Sequence, residues 1–143
     1  MDRHKRRIAL LGRLVQLREV ERRHAASSAA EAQGAHGKLQ QLYTRSGEIA
    51  ASHAARSDAG NGAELAGQLG FLSGLNAIMR DTRKAEAEAA LAAERALLRL
   101  READRRRERV SERLGEERRA ADRTNLAKES AASAILARKL KGR

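Results

Sequence analysis

The chain has no proline, no cysteine and no tryptophan, and it has one tyrosine and one phenylalanine among its 143 residues. Proline removes a backbone donor and clashes with the preceding helical turn, so its absence leaves no obligatory helix break. The absence of cysteine excludes disulfides and thiolate metal sites. With so few aromatic side chains, we do not expect single-stranded nucleic acid to be recognised by base stacking.

Helix-forming residues dominate what is present, with 30 alanines, 18 leucines and 30 lysines and arginines. Such a composition is typical of long helices and coiled coils. The length permits one domain. Bulky apolar side chains are few, and burying an alanine methyl contributes much less than the roughly 1.5–3 kcal/mol of a buried leucine. The core is therefore expected to be thin, which favours an elongated coiled coil over a globular bundle.

The formal net charge is +11. Residues 1–60 carry 11 basic and 6 acidic side chains, and residues 61–143 carry 19 and 13. We therefore expect an evenly spread positive charge that attracts an anionic partner, for which nucleic acid, an acidic protein and anionic lipid are all candidates.

No targeting or membrane segment is expected. The basic N-terminal residues are followed by an apolar run from Ile8 to Leu11, which is too short for a signal sequence. No run approaches the ~20 apolar residues of a membrane span. These features predict a soluble, intracellular protein.

One turn signal interrupts the helical pattern. Gly60, Asn61 and Gly62 follow Ser57 and Asp58, and all five residue types favour turns. The sequence thus predicts helix 1 over about 4–56, a turn over about 57–63 and helix 2 over about 64–140. The expected fold is all-α: a single domain, 1–143, forming a long antiparallel two-helix coiled-coil hairpin.

Both predicted helices carry stripes of apolar or small residues at alternating spacings of three and four, which is the pattern of a coiled coil. In helix 1 the stripe contains Ile8, Leu11, Leu14, Val15, Ala25, Ala29, Ala32, His36, Leu39 and Tyr43, flanked by Leu42 and Ile49. In helix 2 it contains Leu65, Leu69, Leu72, Asn76, Met79, Ala93, Leu97, Leu100, Val110 and Leu114.

Helix 2 is predicted to be longer than its partner. Pairing the helices symmetrically about Asn61 places the start of helix 1 opposite about residue 118, so roughly the last 25 residues form a C-terminal overhang. The overhang has apolar residues, namely Leu126, Ala127, Ala134, Ile135, Leu136 and Leu140. An isolated helix gains little stability in water, so we expect it to dock on another protein; the alternative is a frayed, solvated end.

The start of helix 2 combines glycines with bulky apolar residues. Gly67, Gly70 and Gly74 each cost roughly 1 kcal/mol relative to alanine in a helix. Phe71, Leu75 and Ile78 lie one position off the Leu65, Leu69 and Leu72 row, and we expect some of this patch to remain exposed. An exposed apolar patch indicates a partner site, and the alternative is a broad seam buried within the hairpin.

The charged and catalytic residue types give weaker signals. A cluster of arginines resembles a nucleic-acid-binding patch: Arg105, Arg106, Arg107 and Arg109. Opposite charges three residues apart would neutralise much of it, as in Arg105/Glu108, Arg109/Glu112 and Arg113/Glu116. The cluster is therefore either a solvated helix face or an anion-binding patch. The four histidines are too far apart to form a metal site. No catalytic motif is present, and the sequence predicts no enzyme activity and no cofactor.

The central third of the chain resembles the flagellar export protein FliJ family and its YscO-like counterparts in virulence type III secretion, which are basic, cysteine-poor antiparallel coiled coils. The family pattern at the end of helix 1 is matched by Leu39, Leu42, Tyr43 and Glu48-Ile49. Its tip is matched by Gly60-Asn61-Gly62. Its apolar patch is matched by Phe71-Leu72-Ser73-Gly74-Leu75 and Ala77-Ile78.

The resemblance implies a non-enzymatic stalk of the flagellar (type III) protein export apparatus, which couples the export ATPase ring to the export gate and contacts export chaperones. It implies a gate-binding surface formed by Leu39, Leu42, Tyr43, Phe71, Leu75 and Ile78. It implies an ATPase-ring end formed by Leu11, Leu14, Ile135, Leu136 and Leu140. Such a protein would function in flagellum biogenesis and motility, in the cytoplasm and at the inner face of the cell membrane through its partners.

Two other functions remain open from the residues alone. The net charge of +11 fits a basic coiled coil that binds nucleic acid. The chain could also be a generic scaffold or dimerisation helix, because an alanine-rich seam specifies the oligomeric state weakly.

Overall fold

A computed structural model describes residues 3–56 and 60–142 of the chain. Helix α1 spans Arg3–Ala55 and helix α2 spans Gly62–Lys141. The two helices pack against each other, and the described residues contain no strand. The fold is therefore an all-α two-helix hairpin, which confirms the predicted fold class.

The helix bounds agree with the prediction to within two residues, and α2 begins at Gly62 rather than at 64. Helix α2 starts earlier because two hydrogen bonds cap its N-terminus. The Glu64 backbone N–H donates to Asn61 Oδ1 at 2.8 Å, while the Gly60 N–H donates to Glu64 Oε2 at 2.8 Å. This is a variant of the capping box in which the glutamate accepts from the residue before the cap, Gly60, instead of from the cap residue Asn61. Ser57 and Asp58, which belong to the predicted turn, lie outside the described residues.

The chain divides into two compact units. Unit 1 comprises Met1–His24 and Arg101–Arg143, and unit 2 comprises Ala25–Leu100. Each unit contains a piece of α1 and a piece of α2. The assignment of residues 1–143 to one domain stays a prediction.

Residues with reduced exposure follow one unbroken register along α1, with alternating steps of four and three. We call these residues the α1 seam, and they confirm most of the stripe that the sequence predicts. The α1 seam consists of His4, Ile8, Leu11, Val15, Arg18, Arg22, Ala25, Ala29, Ala32, His36, Leu39, Tyr43, Ser46, Ala50 and His53.

Helix α2 shows the same register over 57 residues, from Gln68 to Thr124. Its most buried side chains are small, as at Ala93, Ala96 and Ala103, which gives the thin core expected from the composition. The α2 seam consists of Gln68, Leu72, Leu75, Met79, Thr82, Glu86, Ala89, Ala93, Ala96, Leu100, Ala103, Arg107, Val110, Leu114, Glu117, Ala121 and Thr124.

The predicted stripe is wrong at the start of α2. Leu65, Leu69 and Asn76 are exposed, whereas Leu75 is buried. The heptad register of the downstream seam, extended back in steps of three and four, passes through Leu75 and Met79. Leu69 and Asn76 fall outside this register, because the prediction followed the densest row of leucines instead. Leu65 falls within it, seven residues before Leu72, but lies before the first seam residue, Gln68.

The antiparallel pairing is visible in side-chain contacts within each unit. In unit 1, His4 Nδ1 lies 2.6 Å from Glu117 Oε1, and Arg7 Nη1 lies 3.9 Å from Glu117 Oε2. In unit 2, His36 Nε2 lies 3.1 Å from Glu86 Oε1. The start of α1 thus lies beside residue 117, close to the residue 118 that symmetric pairing predicts.

The overhang is helical and exposed. Thr124 is the last seam residue, and every residue from 125 to 142 is exposed. The helix extends to Lys141, and the Gly142 N–H donates to the Arg138 carbonyl oxygen at 3.1 Å. We use the word overhang below for residues 125–142.

Candidate functional site: an apolar flank and a basic unit

The register assigns each residue a position in a heptad, abcdefg, in which the seam occupies a and d. Counting from Leu72 and Val15 as a residues, the positions beside the seam are e on one flank and g on the other. Positions b, c and f form the outer face of each helix. These labels allow residues of α1 and α2 to be assigned to the same side of the hairpin.

Contacts in unit 1 show which flanks coincide in the antiparallel pair. Glu19 and Asp104 are both e residues, and each pairs across the hairpin: Glu19 Oε2 lies 3.0 Å from Arg107 Nη1, and Asp104 Oδ1 lies 3.7 Å from Arg22 Nε. Arg7 and Arg113 are both g residues and line one cavity of about 360 Å³. Residues at e therefore share one side, and residues at g share the other.

In unit 2 the g side carries four large apolar side chains. Leu42 and Ile49 are successive g residues of α1, and Phe71 and Ile78 are successive g residues of α2. Their exposed fractions range from 40% to 52%. We call these four residues the apolar flank. Large side chains that stay half exposed on one side of a two-helix pair are typical of a protein-binding surface.

Phe71, a residue of the apolar flank, contacts a seam residue of α1. Its ring packs edge-on against the imidazole of His53, with ring centroids 4.5 Å apart and planes inclined at 77°. Edge-to-face contacts of this kind are favourable for aromatic rings. The contact fixes one part of the Phe71 ring while nearly half of the side chain stays accessible.

The structure sorts the predicted gate-surface residues into two sets. Leu42, Phe71 and Ile78 are exposed g residues, as predicted. Leu39 and Tyr43 are half-buried seam residues. The resemblance places Leu75 on the gate surface, but Leu75 is a d residue with 9% exposure that faces α1.

Ile49 is a residue of the apolar flank that the predicted site lacks. A sequence signal for it exists, because Ile49 lies seven residues after Leu42 and therefore on the same side of α1.

The predicted ATPase-ring residues also separate into two sets. Leu11 and Leu14 are half buried in the paired part of unit 1. Ile135, Leu136 and Leu140 are more than half exposed on the overhang. Leu126 and Leu140 are f residues, so these two leucines lie on the face opposite to the one that meets α1.

Unit 1 contains a network of ion pairs centred on Glu19. Its carboxylate accepts hydrogen bonds from Arg22 at 2.8 Å and 3.1 Å, from Arg107 at 3.0 Å and from Arg23 at 3.3 Å. The hydrogen bonds from Arg22 are the main cause that lowers the pKa of Glu19 to about 2, and the hydrogen bond from Arg107 adds to the effect. The same pairing raises the pKa of Arg22.

The net charge is not spread evenly through the folded chain. The sequence of unit 1 contains 22 basic and 11 acidic residues, and that of unit 2 contains 8 of each. Unit 1 therefore carries the whole formal charge of +11, and unit 2 carries none. The expectation of an evenly spread positive charge is wrong. It was based on a comparison of residues 1–60 with residues 61–143, whereas the hairpin brings the two basic ends of the chain into one unit.

The arginine cluster is also less neutralised than the sequence predicts. Within residues 3–56 and 60–142, no ion pair joins Arg105 to Glu108, Arg109 to Glu112 or Arg113 to Glu116. Arg107 turns to the seam and pairs with Glu19 instead. The other arginines of the cluster are exposed cations of unit 1.

The described part of the chain shows no cluster of three or more side chains that could hold a metal ion. Neither α1 nor α2, over the residues described, has an apolar stretch long enough to traverse a bilayer. No family model, no curated protein and no solved structure matches this chain.

Proposed function

We propose that this chain is a non-enzymatic adaptor of the flagellar (type III) protein export apparatus, where it couples the export ATPase ring to the export gate and contacts export chaperones. The observation that carries the proposal is the apolar flank of unit 2. It comprises four large half-exposed side chains on one side of a hairpin. Away from the turn the next g positions are the alanines Ala35, Ala85 and Ala92, and towards the turn they are Arg56 and Glu64.

The position of this flank supports the assignment to the export gate. Three of its members, Leu42, Phe71 and Ile78, belong to the surface that the family resemblance assigns to gate binding. Exposure to solvent is required of residues that bind a partner directly. Leu39, Tyr43 and Leu75 act in this proposal as the seam that supports the flank.

The charge of unit 1 supports the assignment to the ATPase ring. A ring lined by acidic side chains would attract a unit with 22 basic and 11 acidic residues. The half-buried Leu11 and Leu14 support the paired helices there, and Ile135, Leu136 and Leu140 offer exposed apolar contacts on the overhang.

A binding assay with the purified cytoplasmic domain of an export gate tests the proposal. We expect the double variant Phe71→Ala/Ile78→Ala to weaken binding at least tenfold, because both side chains are accessible for contact. A matched control is Leu91→Ala/Leu98→Ala, which removes two comparably exposed leucines, both f residues of α2 in the same unit. Unchanged binding by the flank variant would remove the gate assignment.

Nucleic-acid binding is the second candidate function, and the exposed arginines of unit 1 favour it. Phosphate neutralisation makes such binding steeply dependent on salt, and non-specific affinities are typically ~10⁻⁴–10⁻⁶ M at physiological salt. A titration with duplex DNA and duplex RNA at physiological ionic strength separates the candidates. A dissociation constant far below this range would favour the second function over the export adaptor.

A further inference from the structure

A segment of about four turns near the start of α2, residues 65–79, lacks charge on every face. Residues 65–79 contain no lysine, arginine, aspartate or glutamate, and this is the longest uncharged run in the chain. Helix α1 covers the seam side of this segment, and Phe71 also contacts His53 of α1. The side that faces away from α1 is exposed. Apart from Ser73 and Asn76, its exposed residues are apolar or glycine. A helix that is apolar on all sides is normally buried on all sides.

Large apolar side chains protrude on both flanks of this segment. On one flank Leu69 is exposed at an e position and Leu65 at the adjacent a position. On the other flank Phe71 and Ile78 are exposed at g positions, and the exposed fractions of the four side chains range from 48% to 59%. Since these residues belong to the same few turns, they form one apolar surface that is exposed to water in the isolated chain. An exposed apolar surface of this kind indicates a site that binds a second molecule.

Between the two rows of large side chains, the surface of the helix forms a shallow depression, because its residues are small. Every b, c and f residue from 63 to 77 is alanine, glycine or serine; we call these residues the small-residue face, and they are Ala63, Ala66, Gly67, Gly70, Ser73, Gly74 and Ala77. A Cβ atom added to Gly67, Gly70 or Gly74 would meet nothing within 4 Å. The space over the glycines is therefore open, and another helix could approach the backbone closely.

We propose that this segment of α2 binds the same segment of a second copy of the chain, with its small-residue face and its flanking apolar side chains forming a symmetric interface. The shape of the segment is self-complementary. Phe71 protrudes beside a depression formed by glycines at positions −4, −1 and +3 relative to it. In a two-fold arrangement, the protruding ring of each copy can enter the depression of the other.

The charge distribution favours a second copy as the occupant. Two chains of net charge +11 repel each other, but unit 2 carries equal numbers of basic and acidic residues, and the surface itself carries no charge. Self-association is therefore least opposed at this segment. A partner selected by the positive charge of the protein would instead be expected to contact unit 1.

The interface is small, and the dimer is expected to be weak. Fifteen helical residues extend over about 22 Å, so the contact falls at the lower end of known interface sizes. Sedimentation equilibrium of the full chain, at protein concentrations from roughly 10 to 500 µM, spans the range in which such a dimer forms. We expect the dimer fraction to rise with added salt, because salt screens the repulsion between the unit 1 charges.

The decisive variant is Gly70→Arg/Gly74→Arg. Both positions have open space around the added side chain, and arginine favours helix more than glycine does, so the monomer keeps its fold. The long charged side chains occupy the depression, and we expect dimerisation to weaken at least tenfold. The matched control is Gly34→Arg/Gly37→Arg, which adds the same charge at two equally open glycines of α1 in unit 2.

Three results would overturn the inference: a monomer at every concentration, a dimer unaffected by the Gly70→Arg/Gly74→Arg change, or equal loss of dimer in the control. Circular dichroism on each variant verifies that helix content is retained. The inference does not rest on the export proposal, because sedimentation of the isolated chain involves no export component. Failure of gate binding would leave the dimer prediction intact, and the reverse also holds.

Discussion

Phe71 and Leu75 lie one helical turn apart on α2, yet 48% of Phe71 is exposed and only 9% of Leu75. Leu75 is a d residue that faces α1, whereas Phe71 is a g residue whose ring makes a T-shaped contact with the ring of the seam residue His53. The two residues therefore have different roles. One supports the hairpin, and the other is accessible to a partner.

The substitution Leu75→Ala should lower the free energy of unfolding by about 2 kcal/mol, at the lower end for a buried leucine because the core is thin. The substitution Phe71→Ala should lower it by about 1 kcal/mol or less, since half of the side chain is already in water. Urea unfolding followed by circular dichroism measures both. An equal or larger loss for Phe71→Ala would contradict the register.

The alanine seam predicts a second stability effect. Ala96 is 5% exposed at a d position, so Ala96→Leu inserts three carbon atoms where the two helices are close. Overpacking of this kind typically costs about 1–3 kcal/mol. Ala92→Leu, at an exposed g position of the same helix, serves as the control. A melting temperature that is unchanged or higher for Ala96→Leu would show that the seam has spare volume there.

The lowered pKa of Glu19 predicts that the stability of the fold decreases at acidic pH. Its pKa is about 2 in the folded chain against an ordinary value of 4.5, so the folded state favours the ionised form. The resulting stabilisation is fully present above about pH 4.5 and is lost as the pH falls from there towards 2. We expect Glu19→Gln to melt at a lower temperature than the parent at pH 7 and to differ less from it at pH 3.

The control for this experiment is Glu88→Gln, which changes an exposed carboxylate in unit 2. Thermal melts at both pH values, followed by circular dichroism, give the comparison. If the Glu88 and Glu19 variants respond alike to pH, the network around Glu19 does not contribute to the acid dependence.

The overhang should be dispensable for folding. All residues from 125 to 142 are exposed, so a chain that ends at Thr124 loses no seam contact. We expect its melting temperature to change by no more than a few degrees, and its binding to the export ATPase to weaken if the overhang enters the ring. A large drop in melting temperature would show that these residues stabilise the hairpin.

Much of the fold could be predicted from sequence because strong local signals specify it. The absence of proline, the turn at Gly60-Asn61-Gly62 and the three-four spacing in α1 are sufficient for the two helices and their antiparallel pairing. The start of α2 was mispredicted because local hydrophobicity and heptad register disagree there. Leu69 continues the prominent row of leucines, but the register that continues through Ala93 and Ala96 selects Leu75.

The candidate site could be predicted from the sequence only in part. Leu42, Phe71 and Ile78 could be proposed from sequence, because each lies beside a seam residue. The concentration of positive charge in unit 1 could not be recognised from sequence halves. It depends on the first 24 residues lying beside residues 101–143, which is a property of the folded chain.

The uncharged run at the start of α2 determines which protease can report on this surface. Trypsin cleaves after lysine and arginine, and none occurs between Arg56 and Arg80, so trypsin cannot cut within this region. Chymotrypsin prefers aromatic residues, and Phe71 is the single phenylalanine of the chain. Protection of that one peptide bond during brief chymotrypsin digestion would therefore reveal directly when another molecule occupies this face of the helix.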